Sequence, residues 1–281
     1  MEESTIENQT FKNVIYSGSL GRASVFDLTI PKNWNQRLIV FIHGYMGFKD
    51  WGCWPLVQDF FVNNSYGFLK YNASHNGGTV ENPIDFPDEE AFSKNTYSKE
   101  LFDFEQVLEK VFKELGDQPE VYLIGHSRGG GIAALQSQHN AVVKWCSWAG
   151  ISSIEKRFPI GEELENWREN LYRYVKNRRT QQNLPLHFDQ YLDFEKNRDR
   201  LNIQTYCERN TKPCLIVHGT EDTSVSPNEA VSLSKWTNTN PVLIPNTQHT
   251  FGSSHPWKSP NMPATLSEIC KLTLIFFNDE R

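Results

Sequence analysis

The sequence predicts an α/β protein built on one mostly parallel, doubly wound sheet with helices on both faces. Short apolar runs of strand length alternate along the chain with stretches of helical period, and this alternation is typical of a parallel sheet. The chain has 281 residues and a mass of 32.5 kDa, enough for a sizeable core. We therefore expect a single domain over residues 1–281, with two small domains as the alternative.

Two runs in the first thirty residues, "FKNVIYSG" and "ASVFDLTIP", predict an antiparallel pair of strands at one edge of the sheet. Later apolar runs predict six further strands, at 37–44, 66–74, 120–126, 142–151, 212–219 and 240–246. A helix is expected over 96–115, because its apolar residues recur at helical spacing from Leu101 to Phe112. A shorter helix is expected after residue 126, and another over 263–281 closes the chain.

Residues 152–210 interrupt this alternation with a long polar and aromatic stretch that contains no strong strand. Its Leu164, Trp167, Leu171 and Tyr174 recur at helical spacing, which predicts a helical segment. The few apolar residues of this stretch can hardly fill a core of their own. We therefore expect a helical insertion over the carboxyl edge of the sheet rather than a separate small domain.

Composition and charge argue against several function classes. The net charge of −6 and the isoelectric point near 5.8 leave no basic field, so we expect no nucleic-acid partner and no anionic membrane surface. The polar start "MEESTIENQTFKN" lacks the apolar core of a signal peptide, and no apolar run approaches the roughly 18 residues of a membrane span. The five cysteines are scattered and form no metal-type pair. We expect a cytoplasmic protein without a bound metal.

The stretch "VYLIGHSRGGGIAALQ" (121–136) holds one serine between two glycines, at the junction of a predicted strand and a predicted helix. A strand–Gly–x–Ser–x–Gly–helix turn needs glycine because it is too tight for side chains, and it raises the serine hydroxyl clear of the sheet. The free amides at the start of the helix then face the charge that forms on that hydroxyl. We interpret Ser127 as a nucleophile; a glycine-rich connector without chemistry is the alternative.

A serine hydroxyl needs a base to take its proton, and a carboxylate to orient that base. The motif "HGTED" follows a predicted strand and offers Glu221 and Asp222. We prefer Asp222 as the carboxylate and interpret Glu221 as a solvated turn residue. His249 follows the next strand, in "QHTF", and is the predicted base; His255, six residues on, is its main rival.

The other histidines are interpreted as structural. His43 and His218 each precede a glycine at a strand end, where a ring can brace a turn. His126 lies inside the serine turn, and we expect its ring to point away from the pocket. His139 and His187 have no supporting motif.

Acyl transfer also needs two backbone amides that face the developing negative charge, the oxyanion hole. Arg128 directly follows the serine and is expected to supply one of them. The glycine-rich loop "FIHGYMGFKDWGCW" (41–54) is expected to supply the other, through Tyr45 or, as the alternative, Met46. The loop's other interpretation is an ordinary surface loop. This chemistry needs no metal and no cofactor.

The motifs "HGYMG", "GHSRGG", "HGTED" and "QHTF" together resemble the α/β-hydrolase superfamily, from about residue 35 to the C-terminus. The order serine, acid, histidine along the chain is the one expected of that superfamily. Within it, the chain is most similar to dienelactone-hydrolase-like and cinnamoyl or feruloyl esterase-like proteins, which carry an H-G-aromatic oxyanion loop and an insertion before the acid strand. Dienelactone hydrolases proper use a cysteine nucleophile, so the serine here favours carboxylic ester hydrolysis.

The resemblance implies a carboxylesterase-type serine hydrolase that forms an acyl-enzyme on a small-molecule ester. It also implies that residues 152–210 form a lid over the acyl or alcohol pocket. The candidate pocket residues are Met46, His75, Trp167, Tyr172, Tyr174 and Tyr191. The aromatic ones are alternatively the apolar underside of a docked helix, and His75 alternatively braces its loop. The basic run from Arg173 to Arg179 would attract an anionic substrate, but such a run is usually a solvated face.

Other functions use the same scaffold. A serine peptidase and a thioesterase are alternatives on this fold, although the peptidases usually carry a large extra N-terminal domain for which these 281 residues have no room. A non-catalytic protein that binds a small ligand is the alternative of a different class. Such proteins commonly lose a member of the triad, whereas all three candidates are present here. A haloalkane dehalogenase would need aspartate in place of Ser127.

Overall fold

The computed structural model describes residues 7–279. The first six residues of the acidic N-terminal stretch and the last two of the predicted C-terminal helix lie outside the described residues. Within 7–279, none of the helices is both long enough and apolar enough to cross a membrane.

Most strands of the described residues join one sheet. The strands are β1 Gln9–Ser17, β2 Ala23–Ile30, β3 Arg37–Ile42, β4 Gly67–Tyr71, β5 Glu120–His126, β6 Val142–Trp148, β7 Tyr172–Lys176, β8 Asn183–His187, β9 Cys214–Gly219 and β10 Val242–Ile244. Eight of them pair in the order β1-β2-β4-β3-β5-β6-β9-β10, while β7 and β8 form a separate hairpin. All neighbours from β4 to β10 are parallel, and β2 is antiparallel to both β1 and β4. The predicted mostly parallel sheet, with an antiparallel pair at its edge, is confirmed.

Nine helices lie within residues 7–279. They are α1 Trp54–Val62, α2 Glu89–Ser93, α3 Tyr97–Leu115, α4 Arg128–Gln136, α5 Glu162–Asn170, α6 Asp189–Lys196, α7 Ile203–Glu208, α8 Asn228–Thr237 and α9 Ala264–Asn278. Helix α3 begins after Thr96, whose side chain accepts the Lys99 amide, and ends at Gly116 with φ 69°. Helices α3, α4 and α9 match the predicted helices, whereas α1, α2 and α8 have no counterpart among the predicted elements.

Each face of the sheet has its own core. On β3, Leu38, Val40 and Ile42 lie in the core that includes α3 and α4. Ile39 and Phe41, on the opposite face, lie in the core that includes α1 and α9. Because side chains alternate along a strand and both faces are buried here, β3 is a continuous apolar run in the sequence.

The segment 152–210 contains the predicted helices, as α5, α6 and α7, together with the hairpin of β7 and β8, which has no counterpart in the prediction. The helical spacing from Leu164 to Tyr174 does not continue as one helix. Leu164 and Trp167 lie on α5, but Leu171 adopts φ 62° and ends it, and Tyr174 lies on β7. A residue in the left-handed region cannot continue an α-helix, so the chain turns there into a strand.

A third, smaller core joins this segment to the rest of the protein. Trp167 of α5 and Leu184 and Leu186 of β8 are buried against Phe86 and Phe92, which lie between β4 and α3. This contact holds the hairpin beside the loops that follow β3 and β5.

Candidate active site

Ser127 lies on a strained turn between the end of β5 and the start of α4. Its backbone angles are φ 58° and ψ −120°, a combination that residues with side chains rarely adopt. A Cβ on Gly125 would lie 2.1 Å from the Gly129 oxygen, and a Cβ on Gly129 would lie 2.1 Å from the Ile42 oxygen. The turn therefore has no space for a side chain at either glycine, and it presents Ser127 at the carboxyl end of β5.

Asp222 and His249, from the loops that follow β9 and β10, are hydrogen-bonded to each other. Nδ1 of His249 donates to Oδ2 of Asp222 over 2.7 Å. The second carboxylate oxygen, Oδ1, accepts the backbone amides of Ser224 and Val225 at 2.8 and 2.9 Å. The neighbouring Glu221 is exposed, whereas Asp222 is buried. Of the two candidate carboxylates, Asp222 is thus the one in contact with the histidine.

His218 adds a contact to the same carboxylate. Its ring is fully buried, with Nε2 at 3.1 Å from Oδ2 of Asp222 and 2.9 Å from the carbonyl oxygen of Val225. Burial alone raises the pKa of Asp222, but the hydrogen bonds from His218 and His249 outweigh burial and lower the pKa well below its usual value. Asp222 is therefore ionised at neutral pH and can stabilise positive charge on His249.

Ser127 and His249 line the same two cavities. Because Nδ1 of His249 is engaged with Asp222, the other ring nitrogen, Nε2, is the one available to a serine hydroxyl. The three residues follow β5, β9 and β10, whose carboxyl ends share one edge of the parallel sheet. The structure thus brings together three side chains that are far apart in the sequence.

The ring of His126 lies against His249, contrary to the expectation that it points away from the pocket. The two ring centroids are 4.8 Å apart, and Nε2 of His126 donates to the carbonyl oxygen of His249 at 3.0 Å. Burial, and to a smaller extent the neighbouring His249, lower the pKa of His126 to about 3. His126 is therefore a neutral, fixed donor that holds the backbone of His249. Its place at the end of β5, directly before the serine, puts it near the site, but the sequence does not indicate which way its ring turns.

The rival histidines hold loops and do not line the cavities of Ser127. Nδ1 of His255 accepts the backbone amide of Gly52 at 2.9 Å. Nε2 of His43 accepts the amide of Ala73 at 3.1 Å, and its Nδ1 donates to the carbonyl oxygen of Gly44 at 2.9 Å.

Two backbone amides of interest lie close to Ser127. Residues 44–47 form a tight turn closed by a backbone hydrogen bond of 3.0 Å. A Cβ on Gly44 would lie 2.9 Å from Cβ of Ser127, so this turn lies directly against the serine. Among the hydrogen bonds of residues 7–279, the amides of Tyr45 and Arg128 have no acceptor.

The side chain of Arg128 is held in a fixed position beside the serine. Its guanidinium lies 4.6 Å from the ring centroid of Tyr45 and 4.4 Å from that of Tyr97. It also pairs with the buried Glu100 at 2.9 Å. A desolvated cation–π contact is worth about 2 kcal/mol. These contacts tie the loop after β3 to the start of α4, and with them the amides of Tyr45 and Arg128.

The cavities that meet at Ser127 and His249 have volumes of about 380 and 420 Å³. Each can hold part of a small organic molecule. The first cavity lies between Ser127 and the hairpin of β7 and β8. The second lies between Ser127, the loop after β3 and residues 177–179.

The structure brings Met46 to the second cavity but none of the other predicted pocket residues to either cavity. Trp167 is buried in the third core, as the underside of a docked helix would be. Tyr172 and Tyr174 are 39% and 66% exposed. His75 is buried within its own loop. Tyr191 packs at the margin of the third core.

Members of the basic run line both cavities. Arg173 and Val175 of β7 line the first cavity, and Arg178 and Arg179 line the second. Side chains alternate along a strand, so Arg173 faces inward because its neighbour Tyr172 faces outward. The alternation in "YRYVK" is the signal that could identify these residues, once the segment is taken as a strand.

Comparison with known proteins identifies the architecture. The model of the alpha/beta hydrolase family matches residues 39–258. A search of curated proteins finds no match. Among solved structures, Est1E from Butyrivibrio proteoclasticus with ferulic acid bound is similar, with a TM-score of 0.70 at 21% identity, covering 94% of this chain and 98% of that one.

Two further structures share the fold at lower identity. Dienelactone hydrolase from Anabaena variabilis has a TM-score of 0.62 at 15% identity, covering 96% of this chain and 97% of that one. The Pyrococcus furiosus esterase Pf2001 has a TM-score of 0.62 at 12% identity, covering 96% and 91%. These matches confirm the fold that the motifs imply.

Proposed function

Since this chain belongs to the alpha/beta hydrolase family, we propose that it is a serine hydrolase that cleaves carboxylic esters of small molecules through an acyl-enzyme. One observation carries the proposal: Asp222 and His249 are joined by a hydrogen bond of 2.7 Å in a site where His249 and Ser127 line the same cavities. Ser127 is the proposed nucleophile, His249 the base, and Asp222 the residue that orients the base.

In the first step, Oγ of Ser127 attacks the ester carbonyl carbon and its proton moves to Nε2 of His249. The electron pair of the C=O bond moves to the oxygen, and the amides of Tyr45 and Arg128 stabilise this oxyanion. The lack of an acceptor for either amide among residues 7–279, and the place of Arg128 at the start of α4, support this role. Loss of one such donor typically costs about 3 kcal/mol of transition-state stabilisation.

In the second step, the C–O bond to the alcohol breaks and His249 returns its proton to the leaving oxygen. A water molecule then attacks the acyl-enzyme, with His249 as base, and releases the acid and free Ser127. The pKa of His126, about 3, makes that ring unsuited to proton transfer at neutral pH, so His126 is a positioning residue.

We further propose that residues 152–210 form a lid within a single domain. The side chains of β7 and β8 at the first cavity, and the third core beneath them, support this assignment. The five cysteines are all free and buried, which supports a reducing, cytoplasmic location.

Hydrolysis of p-nitrophenyl acetate and butyrate tests the proposal, with Ser127→Ala as the matched variant. We expect the wild type to hydrolyse these esters and to be labelled at Ser127 by a fluorophosphonate. Ser127→Ala should lose the labelling and at least about 10⁴ in kcat, since the nucleophile is gone. An unreactive wild type, or undiminished activity in Ser127→Ala, would refute the proposal.

Three other outcomes would assign the alternative functions. Faster turnover of acyl-CoA than of oxygen esters would indicate a thioesterase, and activity on peptide amides alone would indicate a peptidase. Binding of a small ligand without fluorophosphonate labelling would indicate a non-catalytic protein on the same fold.

A further inference from the structure

The first cavity beside Ser127 has a positively charged wall. Arg128, Arg157 and Arg173 line it, and none of its lining residues is an aspartate or a glutamate. Much of the remaining lining is apolar, with Ile151, Phe158, Val175, Leu186 and Val225. Such a cavity is suited to a ligand that has an apolar body and an anionic end.

Two of the three arginines are already neutralised by buried carboxylates. Arg128 pairs with Glu100 at 2.9 Å, and Arg157 pairs with Glu229 at 2.5 Å. The side chains of both glutamates are almost fully buried. Nε of Arg157 is buried without a hydrogen-bond partner among the described residues.

Arg173 has the least compensated charge of the three. Its contact with Glu163 is long, at 3.5 Å, and the Glu163 side chain is 72% exposed, so solvent screens this pair. The guanidinium lies 4.5 Å from the ring centroid of Trp167, which orients it without a counter-charge. Its Nε is buried and has no hydrogen-bond partner among residues 7–279. Because Arg173 lines the first cavity and its ion pair is long and exposed, its guanidinium can donate to an anionic group of a ligand there.

We propose that Arg173 determines specificity by binding a free carboxylate of the substrate, so that the preferred esters carry a negative charge at the end of an apolar spacer. This inference rests on the proposed ester hydrolysis at Ser127. A guanidinium presents parallel N–H donors that match the two oxygens of a carboxylate. The substrate class is half-esters of dicarboxylic acids or esters of hydroxy acids, because both carry a free carboxylate at a distance from the ester group.

Two pairs of esters test the inference and distinguish these two sources. With the charge on the acyl side, p-nitrophenyl hemiglutarate is compared with p-nitrophenyl pentanoate. With the charge on the alcohol side, 4-acetoxybutanoate is compared with butyl acetate. In one of the pairs we expect kcat/KM to favour the charged ester by about tenfold or more, mainly through KM, as a charge-assisted hydrogen bond provides. The preference should weaken as the salt concentration rises.

Three variants assign the preference to one side chain. Arg173→Gln should reduce the charged-to-neutral ratio of kcat/KM by about tenfold. Arg173→Lys keeps the charge but not the planar donor pair, so it should retain part of the ratio. Lys176→Gln is the matched control, because Lys176 is exposed on the same strand and lines neither cavity. Its ratio should stay within about twofold of the wild type.

The outcomes separate this inference from the proposed function. If the wild type hydrolyses none of the four esters and is not labelled by a fluorophosphonate, the proposed function fails. If the wild type hydrolyses the neutral ester of each pair as well as the charged ester or better, the inference about Arg173 is wrong and the proposed function stands. A preference that survives in folded Arg173→Gln would also overturn it. If Arg173→Gln does not fold, the inference is tested by the charged-to-neutral ratio of kcat/KM in Arg173→Lys and by the salt dependence of that ratio in the wild type.

Discussion

The strand-end site (residues 125–128, 218–225 and 249) and the insertion (residues 152–210) place their polar groups in different ways. In the strand-end site, the buried carboxylate of Asp222 contacts two histidine rings and two backbone amides. In the insertion, Nε of Arg173 is buried and has no hydrogen-bond partner within residues 7–279, and Arg198 makes its ion pairs at the surface. The charge of Asp222 is therefore compensated before a ligand arrives, whereas the charge of Arg173 is left largely uncompensated.

This contrast has a physical basis in burial. A group buried between the strands and helices must be satisfied within the protein, since an unpaired buried charge is costly. The insertion has fewer buried residues, so water can satisfy most of its polar groups. We infer that the sheet sets the geometry of the reaction and that the insertion sets the choice of substrate.

The largest effect that would sharpen this comparison is expected from Asp222→Asn. The amide cannot hold His249 in the tautomer that accepts the serine proton, so kcat on p-nitrophenyl butyrate should fall by about 10⁴-fold. Glu221→Gln is the matched control, because Glu221 is exposed beside it, and its kcat should stay within about twofold of the wild type. Equal losses in the two variants would contradict the assignment of Asp222.

The next effect compares one glycine from each region. In Gly129→Ala, the new Cβ would lie 2.1 Å from the Ile42 oxygen, which forces the backbone of β3 or α4 to move. We expect the free energy of unfolding to fall by roughly 4 kcal/mol or more. Gly161 of the insertion has φ 61° and open space around its Cβ position, so Gly161→Ala should cost only about 1–3 kcal/mol, from backbone strain.

Urea denaturation of the two glycine variants measures this difference. Similar losses in both would show that the backbone at the serine turn can relax as freely as that of the insertion. The backbone of the strand-end site would then be no more rigid than that of the insertion.

The same contrast explains how much of the fold the sequence predicts. Strands such as β3 and β5 are buried on both faces, so their apolar runs are continuous and easy to recognise. The insertion buries only some of its residues, and the helical spacing from Leu164 to Tyr174 continues across the point where the chain turns from α5 into β7. The end of α5 depends on the φ of Leu171, and the hairpin depends on contacts of Leu184 and Leu186 with a distant segment. The spacing of apolar residues along the sequence indicates neither a backbone angle nor a contact with a distant segment.

The candidate site divides in the same way. The sequence predicts Ser127, Asp222 and His249 because each follows an apolar strand in a motif with a chemical reason. The contact of His126 with His249 depends on which way a ring turns at the end of β5, and the motif does not encode this. On β7, the prediction favours the tyrosines over Arg173 because aromatic residues are typical of pockets. The register of the hairpin turns Tyr174 outward instead.

A smaller effect concerns the pH dependence of stability. The pKa of Asp222 is lowered in the folded protein, so its contribution to stability is fully present above its ordinary unfolded value of about 4 and is lost as the pH falls towards the folded pKa. The wild type should therefore lose stability below about pH 4, and Asp222→Asn should lose about 1–2 kcal/mol less over the same range.

Urea denaturation at several pH values between neutral and strongly acidic measures this slope. Glu163→Gln is the control from the insertion, because Glu163 is largely exposed and should leave the slope unchanged. If Asp222→Asn has the same slope as the wild type, the carboxylate is not stabilised by its histidines in the way described.

The smallest effect is expected from Arg198→Gln in the insertion. Arg198 pairs with Glu155 at 2.8 Å and with Glu195 at 2.5 Å, but its side chain is 45% exposed. Exposed ion pairs are worth up to about 1 kcal/mol, because water competes for both charges and ordering the side chains costs entropy. The free energy of unfolding should therefore fall by less than about 1 kcal/mol, and the loss should shrink further at high salt. A loss of several kcal/mol that is insensitive to salt would mean that the insertion holds its charges as tightly as the strand-end site does.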